Sequence, residues 1–395
     1  MAAYIGLRIA RWRDAAGMTQ QELADRIGKS REYVSMIENG KRPITKRSLL
    51  FAFASALRVS PTDLTGQPEP PRSADDLAIY NAIPAIRGAL DDDPEDVNPL
   101  VLATLAADVD RAMAARMACD YQALAALLPR LVADTRRLAH SSDGPAGPAL
   151  FVRAALTAAL AIKPLGYLDL SARLAERAQL AAGILGQPVE TAVAQFALAQ
   201  TALSSGTPGG RRRSLATAQA AADQLGDVGD DSTLTWYGML HLHAALSAAS
   251  LGEGDRAHEH ITEAEAAAVR AGSDPWRMEF SVANVGIWRV GVAVENGEPE
   301  RAPEYARRVD RSQVRTANRM ARLHIDTGRG WYAAGDQAAA VRQFLAADDV
   351  SQSELRNRPS VRELVGQMVR DARRRGSAEL QELAVRVGVD PLDPT

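Results

Sequence analysis

Between Arg31 and Met36 the chain sets five side chains able to bond to or pack on the flat edges of nucleobases: Arg31, Glu32, Tyr33, Ser35 and Met36. That chemistry needs a rigid support that pushes all of them outward together, and the flanking residues provide it. Thr19 is followed three residues on by Glu22, the spacing of a capping box that opens a helix. Leu23, Ala24 and Ile27 form the apolar stripe of that helix. Gly28 falls where the chain must turn sharply with φ > 0, which glycine does at least cost. Ser30 is placed to cap a second helix predicted over 31–39, with Val34 and Ile37 inward at i,i+3. Two helices about a glycine turn, the second presenting polar groups from its N-terminal end, make a helix-turn-helix of the kind that enters a major groove.

Thr19-Gln20-Gln21-Glu22-Leu23-Ala24, then Gly28, then Ser30 leading to Val34-Ser35-Met36-Ile37-Glu38-Asn39-Gly40 resembles the lambda-repressor-like, or Xre-type, DNA-binding domain over residues 1–66. The resemblance implies five helices and a set of roles by position. Gln20 would meet a phosphate at the start of the second helix. Arg31, Glu32 and Met36 would approach the bases, with Tyr33 and Ser35 beside them and Ser30, the cap, also at the DNA-binding face. Lys41, Arg42, Thr45 and Lys46 would hold the backbone. Arg31 and Glu32 suit a guanine and a cytosine respectively.

Charge agrees with this independently. Residues 1–66 hold 11 Lys+Arg and 6 Asp+Glu, a net +5, whereas the remaining 35 basic and 43 acidic residues give −8. A basic head suits the phosphate backbone, the source of most non-specific DNA affinity. Three of the four lysines, Lys29, Lys41 and Lys46, lie in it.

At 395 residues the chain can bury more than one core. Its single cysteine, Cys119, excludes a disulfide framework, fits a reducing cytoplasm and reads as a small apolar residue inside a helix. No segment reads as a leader, and none approaches the ~18 apolar residues of a membrane span. The alanine- and arginine-rich composition resembles that of high-GC actinobacterial proteins.

Gln67 to Ser73 carries Pro68, Pro70 and Pro71 and is predicted as a short, stiff linker over 67–73. From 74 to 395 the apolar period is helical throughout, cut by Gly/Pro clusters into helix-length pieces. Gly328, Trp331, Gly335, Ala340, Phe344 and Ala347 follow the offsets of a tetratricopeptide repeat. Gly252-Ala257-Ile261-Ala264 and Gly297-Ala302-Ala306-Val309 repeat the scheme, with weaker copies at Ser171 to Ala178 and Ser214 to Ala221. The expected fold is all-α: a five-helix helix-turn-helix domain, then a tetratricopeptide-like right-handed α-solenoid whose concave face is made by the first helix of each hairpin.

That layout resembles the RRNPP peptide-pheromone receptors and similar actinobacterial regulators. It implies a cytoplasmic homodimer on a palindromic double-stranded DNA operator, with a peptide or small-molecule effector on the concave face. Effector candidates are Trp236, His243, Asn284, Trp288, Asn318, Arg322 and Arg329. The alternative is a scaffold or antitoxin-like protein that grips a protein partner constitutively. A sensor predicts a bounded pocket, a scaffold an open charged groove. No catalytic constellation, metal site or cofactor motif is expected. His241-x-His243 and His258-x-His260 fall on different helix faces, Gly206 to Ser214 lacks the lysine and strand of a phosphate loop, and Asp91 to Asp96 lacks calcium-loop spacing.

Overall fold

The end signals visible in the sequence close the helices they flank. The computed structural model describes residues 4–72, 74–91, 101–141, 144–226, 229–372 and 376–390, and among them it contains helices and no strand. Ser73 of the linker, and Asp92 to Asp96 of the acidic run, lie outside the described residues. The N-terminal head comprises α1 (Ile5–Ala15), α2 (Gln20–Ile27), α3 (Arg31–Glu38), α4 (Arg47–Leu57) and α5 (Pro61–Thr65). Thr19 and Glu22 form both halves of the capping box, and Gly28 ends α2 at φ 65°. Ser30 caps α3 through the Tyr33 amide. Ile9, Leu23, Val34, Ile37, Phe53 and Leu64 make a core belonging to these five helices alone.

The body begins with α6 (Ala74–Asp91), α7 (Leu102–Ala118) and α8 (Tyr121–Ser141). Five antiparallel hairpins follow: α9 (Ala146–Ile162) with α10 (Leu168–Leu185), α11 (Pro188–Ser204) with α12 (Pro208–Leu225), α13 (Asp231–Leu251) with α14 (Gly254–Arg270), α15 (Val282–Asn296) with α16 (Ala302–Arg308), and α17 (Ala317–Ala333) with α18 (Gln337–Val350). The chain ends on α19 (Gln352–Arg356), α20 (Pro359–Ala372) and α21 (Ala378–Val387). The small-residue series maps onto these hairpins. Gly328 of α17 and Phe344 of α18 meet at the crossing point, where a Cβ on Gly328 would lie 2.7 Å from the Phe344 ring. Ala257, Ala264, Ala302, Ala306, Ala340 and Ala347 are all buried on the second helices.

Two features depart from the sequence reading. The segment Ala146–Leu165 has the length and composition to cross a membrane, although none was expected; 61% of it is buried, as befits a core helix. Cys119 does not sit inside a helix. It ends α7 in the left-handed region at φ 59°, half-buried. Burial pushes its thiol up to about 11, with Glu354 adding to the shift.

The stack bends until α7 packs against α17. From α7, Arg116 Nη2 also donates to the Arg277 carbonyl, in the segment between α14 and α15, at 3.3 Å. The head sits over the loop ends of the hairpins, and three inter-helix glycines receive it at close range. A Cβ on Gly166 would lie 2.5 Å from Gln67 Cβ, one on Gly206 2.6 Å from Pro61 Cγ, and one on Gly297 2.5 Å from Lys46 Nζ. The linker is part of this contact: Gln67 donates to the Pro164 carbonyl at 2.8 Å, and Glu69 pairs with Arg362.

Candidate DNA-reading face and the chamber behind it

On α3 the buried Val34 and Ile37 fix which side faces out. Arg31 and Glu32 are exposed, and Tyr33, Ser35 and Met36 are half-buried around them. A hydrogen bond from its own backbone N–H, and a second from the Ser30 hydroxyl, hold the Glu32 carboxyl below its usual range. The Tyr33 ring lies between two cations, with the Arg42 guanidinium 4.7 Å and the Lys29 ammonium 5.6 Å from its centroid. Ser35 is engaged by Asn39, whose Nδ2 donates to its Oγ at 3.1 Å. Gln20 is also oriented from behind. Its Nε2 donates at 2.8 Å to Glu38, whose carboxylate is held by Arg13 at 2.6 and 3.0 Å. Lys41 and Arg42 are exposed beyond the end of α3. Lys46 instead turns back onto Gly297 of the body.

The backbone between Gly40 and Arg47 is fastened to the body at three points. Arg370 Nε of α20 donates to the Gly40 carbonyl at 3.1 Å. Arg329 Nη2 of α17 donates to the Thr45 carbonyl at 2.8 Å. The Arg47 amide donates to Glu295 Oε2 at 2.9 Å. Arg329 also holds Glu295 at 2.8 Å and Asp326 at 2.9 Å, so one buried guanidinium joins α15, α17 and the loop after the recognition helix. Burial raises the Asp326 carboxyl, but Arg322 and Arg329 outweigh that and bring it to about 2.

Between head and body lies a chamber of about 310 Å³. Its wall comes from the first helix of each hairpin, α9, α11, α13, α15 and α17, with Arg116 and Tyr121 closing one side. Its roof is the head: Ile5, Ile44, Leu50, Phe51, Pro61 and Thr65. Arg47, Lys163 and Arg319 lie deep in the molecule yet keep accessible surface, and they line this space. Lys163 donates to Gln200 Oε1. Burial pushes its ammonium down to about 7, and Arg47, Arg358 and Arg322 push the same way.

Four of the seven residues singled out for an effector meet at this chamber: Trp288, Asn318, Arg322 and Arg329. The other three do not reach it. Trp236 is wholly buried against Phe196 and Trp276, with ring centroids 5.3 Å away in each case. His243 is wholly buried and bonds Ser214 at 2.9 Å. Asn284 is buried, its Nδ2 3.5 Å from the Met278 carbonyl. For Trp236 and His243 the reason is that α13 is buried around almost its whole circumference, so spacing alone does not select an exposed face; Asn284 lies at the start of α15, where the turn that carries Met278 covers it. Sequence reasoning missed Lys163, Arg116, Arg47 and Glu295. Lys163 had a signal, as the body's lone lysine in a chain that otherwise uses arginine there.

Fold and face together define a helix-turn-helix DNA-binding domain carried on a body of stacked helical hairpins. Residues 9–64 match the helix-turn-helix family (HTH_3). No curated protein matches the chain. Among solved structures, that of Bacillus thuringiensis PlcR in complex with the peptide PapR7 and DNA is similar at 11% identity, over 88% of this chain and 93% of that chain. The TM-score is 0.33, so the two are not superposable as one geometry.

Proposed function

We propose that this chain is a sequence-specific DNA-binding transcription regulator. Its body takes a peptide or small-molecule effector in the chamber and changes how the head meets DNA. Arg31, Glu32 and Met36 read bases, with Ser30, Tyr33 and Ser35 beside them, while Gln20, Lys41 and Arg42 serve the phosphate backbone; Thr45 and Lys46, expected from the sequence to join them, face the body instead. The observation that carries the reading is Arg329. It lines the chamber and holds the Thr45 carbonyl, in the loop that joins the recognition helix to α4. A ligand that moves Arg329 therefore moves the backbone-holding loop, which is the differential contact that coupling between two sites requires. A chamber bounded by the head suits a sensor better than a scaffold with an open groove.

A single head spans only a few base pairs, so we propose a homodimer on a palindromic operator with half-sites about 34 Å apart. Genomic DNA selected by the full-length protein supplies the operator, and fluorescence anisotropy then measures affinity. The expected outcome is salt-dependent, sequence-selective binding with two copies per site by light scattering. Equal affinity for selected and scrambled DNA would overturn the reading.

A further inference from the structure

We infer that the chamber is built for an organic oxyanion. The carboxylate or phosphate of a small amphipathic ligand is held by Lys163, Arg319 and Arg47, and its apolar body lies along Phe196, Met239 and Leu246. The inference rests on the chamber being the effector site and names the chemistry of what enters.

The charge count at the chamber is unbalanced. Eight cationic side chains line it against two carboxylates, Asp326 and Glu354. Those two, with Glu295 behind them, answer Arg47, Arg322, Arg329 and Arg358. Among the described residues neither Lys163, Arg116 nor Arg319 has a carboxylate within salt-bridge reach. Arg116 is occupied by a backbone carbonyl. Lys163 has only the Gln200 amide oxygen. Arg319 makes no side-chain hydrogen bond, and its Nε is buried without a partner.

These cations also crowd one another. Among the described residues Arg47, Arg358 and Arg322 all bear on Lys163 with no carboxylate opposing them, whereas at Arg319 the more distant Glu354 and Glu279 offset part of the repulsion from Arg322 and Arg358. Like charges gathered away from bulk water are costly unless a counter-charge joins them. A bound oxyanion supplies it, and guanidinium groups match its geometry with paired donors. Beside Lys163 the wall turns apolar. Phe196 lies one turn from Gln200 on α11, and Met239 and Leu246 follow on α13. A charged head and an apolar tail are thus accommodated side by side, in a volume within the range of small-ligand pockets. A cationic or neutral ligand would leave the cluster uncompensated.

Isothermal titration of the full-length protein at pH 6.5 with decanoate, decanol, decylamine and inorganic phosphate tests this. Decanoate is expected to bind at least about tenfold more tightly than decanol. Phosphate should compete with decanoate, and decylamine should give no heat. Lys163→Met and Arg319→Met should each weaken decanoate by about tenfold while leaving decanol unchanged. Circular dichroism checks that both variants fold; neither cation forms an ion pair, and Glu354 keeps Arg358 at 2.6 Å, so neither variant strands a charge. Decanol binding as tightly as decanoate, no binding by either, or unaltered decanoate affinity in both variants would overturn the assignment. Anisotropy on operator DNA separates the two readings: decanoate selectivity without any change in DNA affinity upholds the oxyanion site and rejects the sensor.

Discussion

Arg329 donates to the carbonyl oxygen of Thr45 at 2.8 Å, across 284 positions of sequence. The same guanidinium neutralises Glu295 and Asp326, both buried. Breaking one member of a buried ion cluster typically costs about 3–5 kcal/mol, because the remaining charges lose their partner. Arg329→Met is therefore expected to destabilise the protein by that order in urea unfolding. Arg329→Lys keeps the charge but cannot span three acceptors. It should fold, with faster hydrogen exchange at the Arg47 amide. An unchanged exchange rate there would show that Arg329 does not restrain the loop.

Base reading and backbone holding can be separated on the exposed face. Arg31→Ala should relax preference at one operator position, at a cost of about 1–3 kcal/mol for a good bidentate contact. Lys41→Ala should weaken all sequences alike and lower the salt slope by about one. Equal losses on operator and scrambled DNA for Arg31→Ala would remove it from the reading set.

Lys163 makes stability depend on pH with a definite sign. Its ordinary value is 10.5, and burial, helped by Arg47, brings it to about 7 in the fold. Between those values the unfolded chain holds a proton that the folded chain has released, so stability rises with pH across the window. Below about 7 both states hold it and the folded state bears the full penalty of the buried charge. The difference in unfolding free energy between wild type and Lys163→Met should thus change between pH 6.5 and 9. A flat difference would mean that Lys163 is not a buried cation.

Gly206 tests the seat of the head. Its φ is 71°, and a Cβ there would meet Pro61 Cγ at 2.6 Å and the Phe51 ring at 2.8 Å. Gly206→Val should cost about 1–3 kcal/mol through overpacking. Limited proteolysis in the 67–72 linker should also accelerate, as the head lifts from the loops. Protection equal to wild type would show that the contact yields without undocking.

What was legible in the sequence was local. Thr19, Glu22, Gly28 and Ser30 act within a few residues of themselves, so their spacing specifies α2, the turn and the start of α3. Gly328 and Phe344 lie within one hairpin, and their offset foretold the crossing. The chamber is another matter, because it depends on partners such as Thr45 with Arg329 and Ile5 with Glu363, 358 positions apart. No periodicity encodes those pairings. Trp236, His243 and Asn284 went to the core for a related reason: a polar or aromatic residue on an apolar helix can serve either face, and neighbouring helices decide which.

Because Ile44, Leu50, Phe51 and Pro61 of the head form the roof of the chamber, the helix-turn-helix and the chamber share one stretch of polypeptide. A head grafted from another protein would bring a new ceiling as well as a new recognition helix. If the chamber takes the ligand proposed above, the two specificities are inherited together, and a lineage that changes its operator by exchanging heads must re-tune its ligand in the same step.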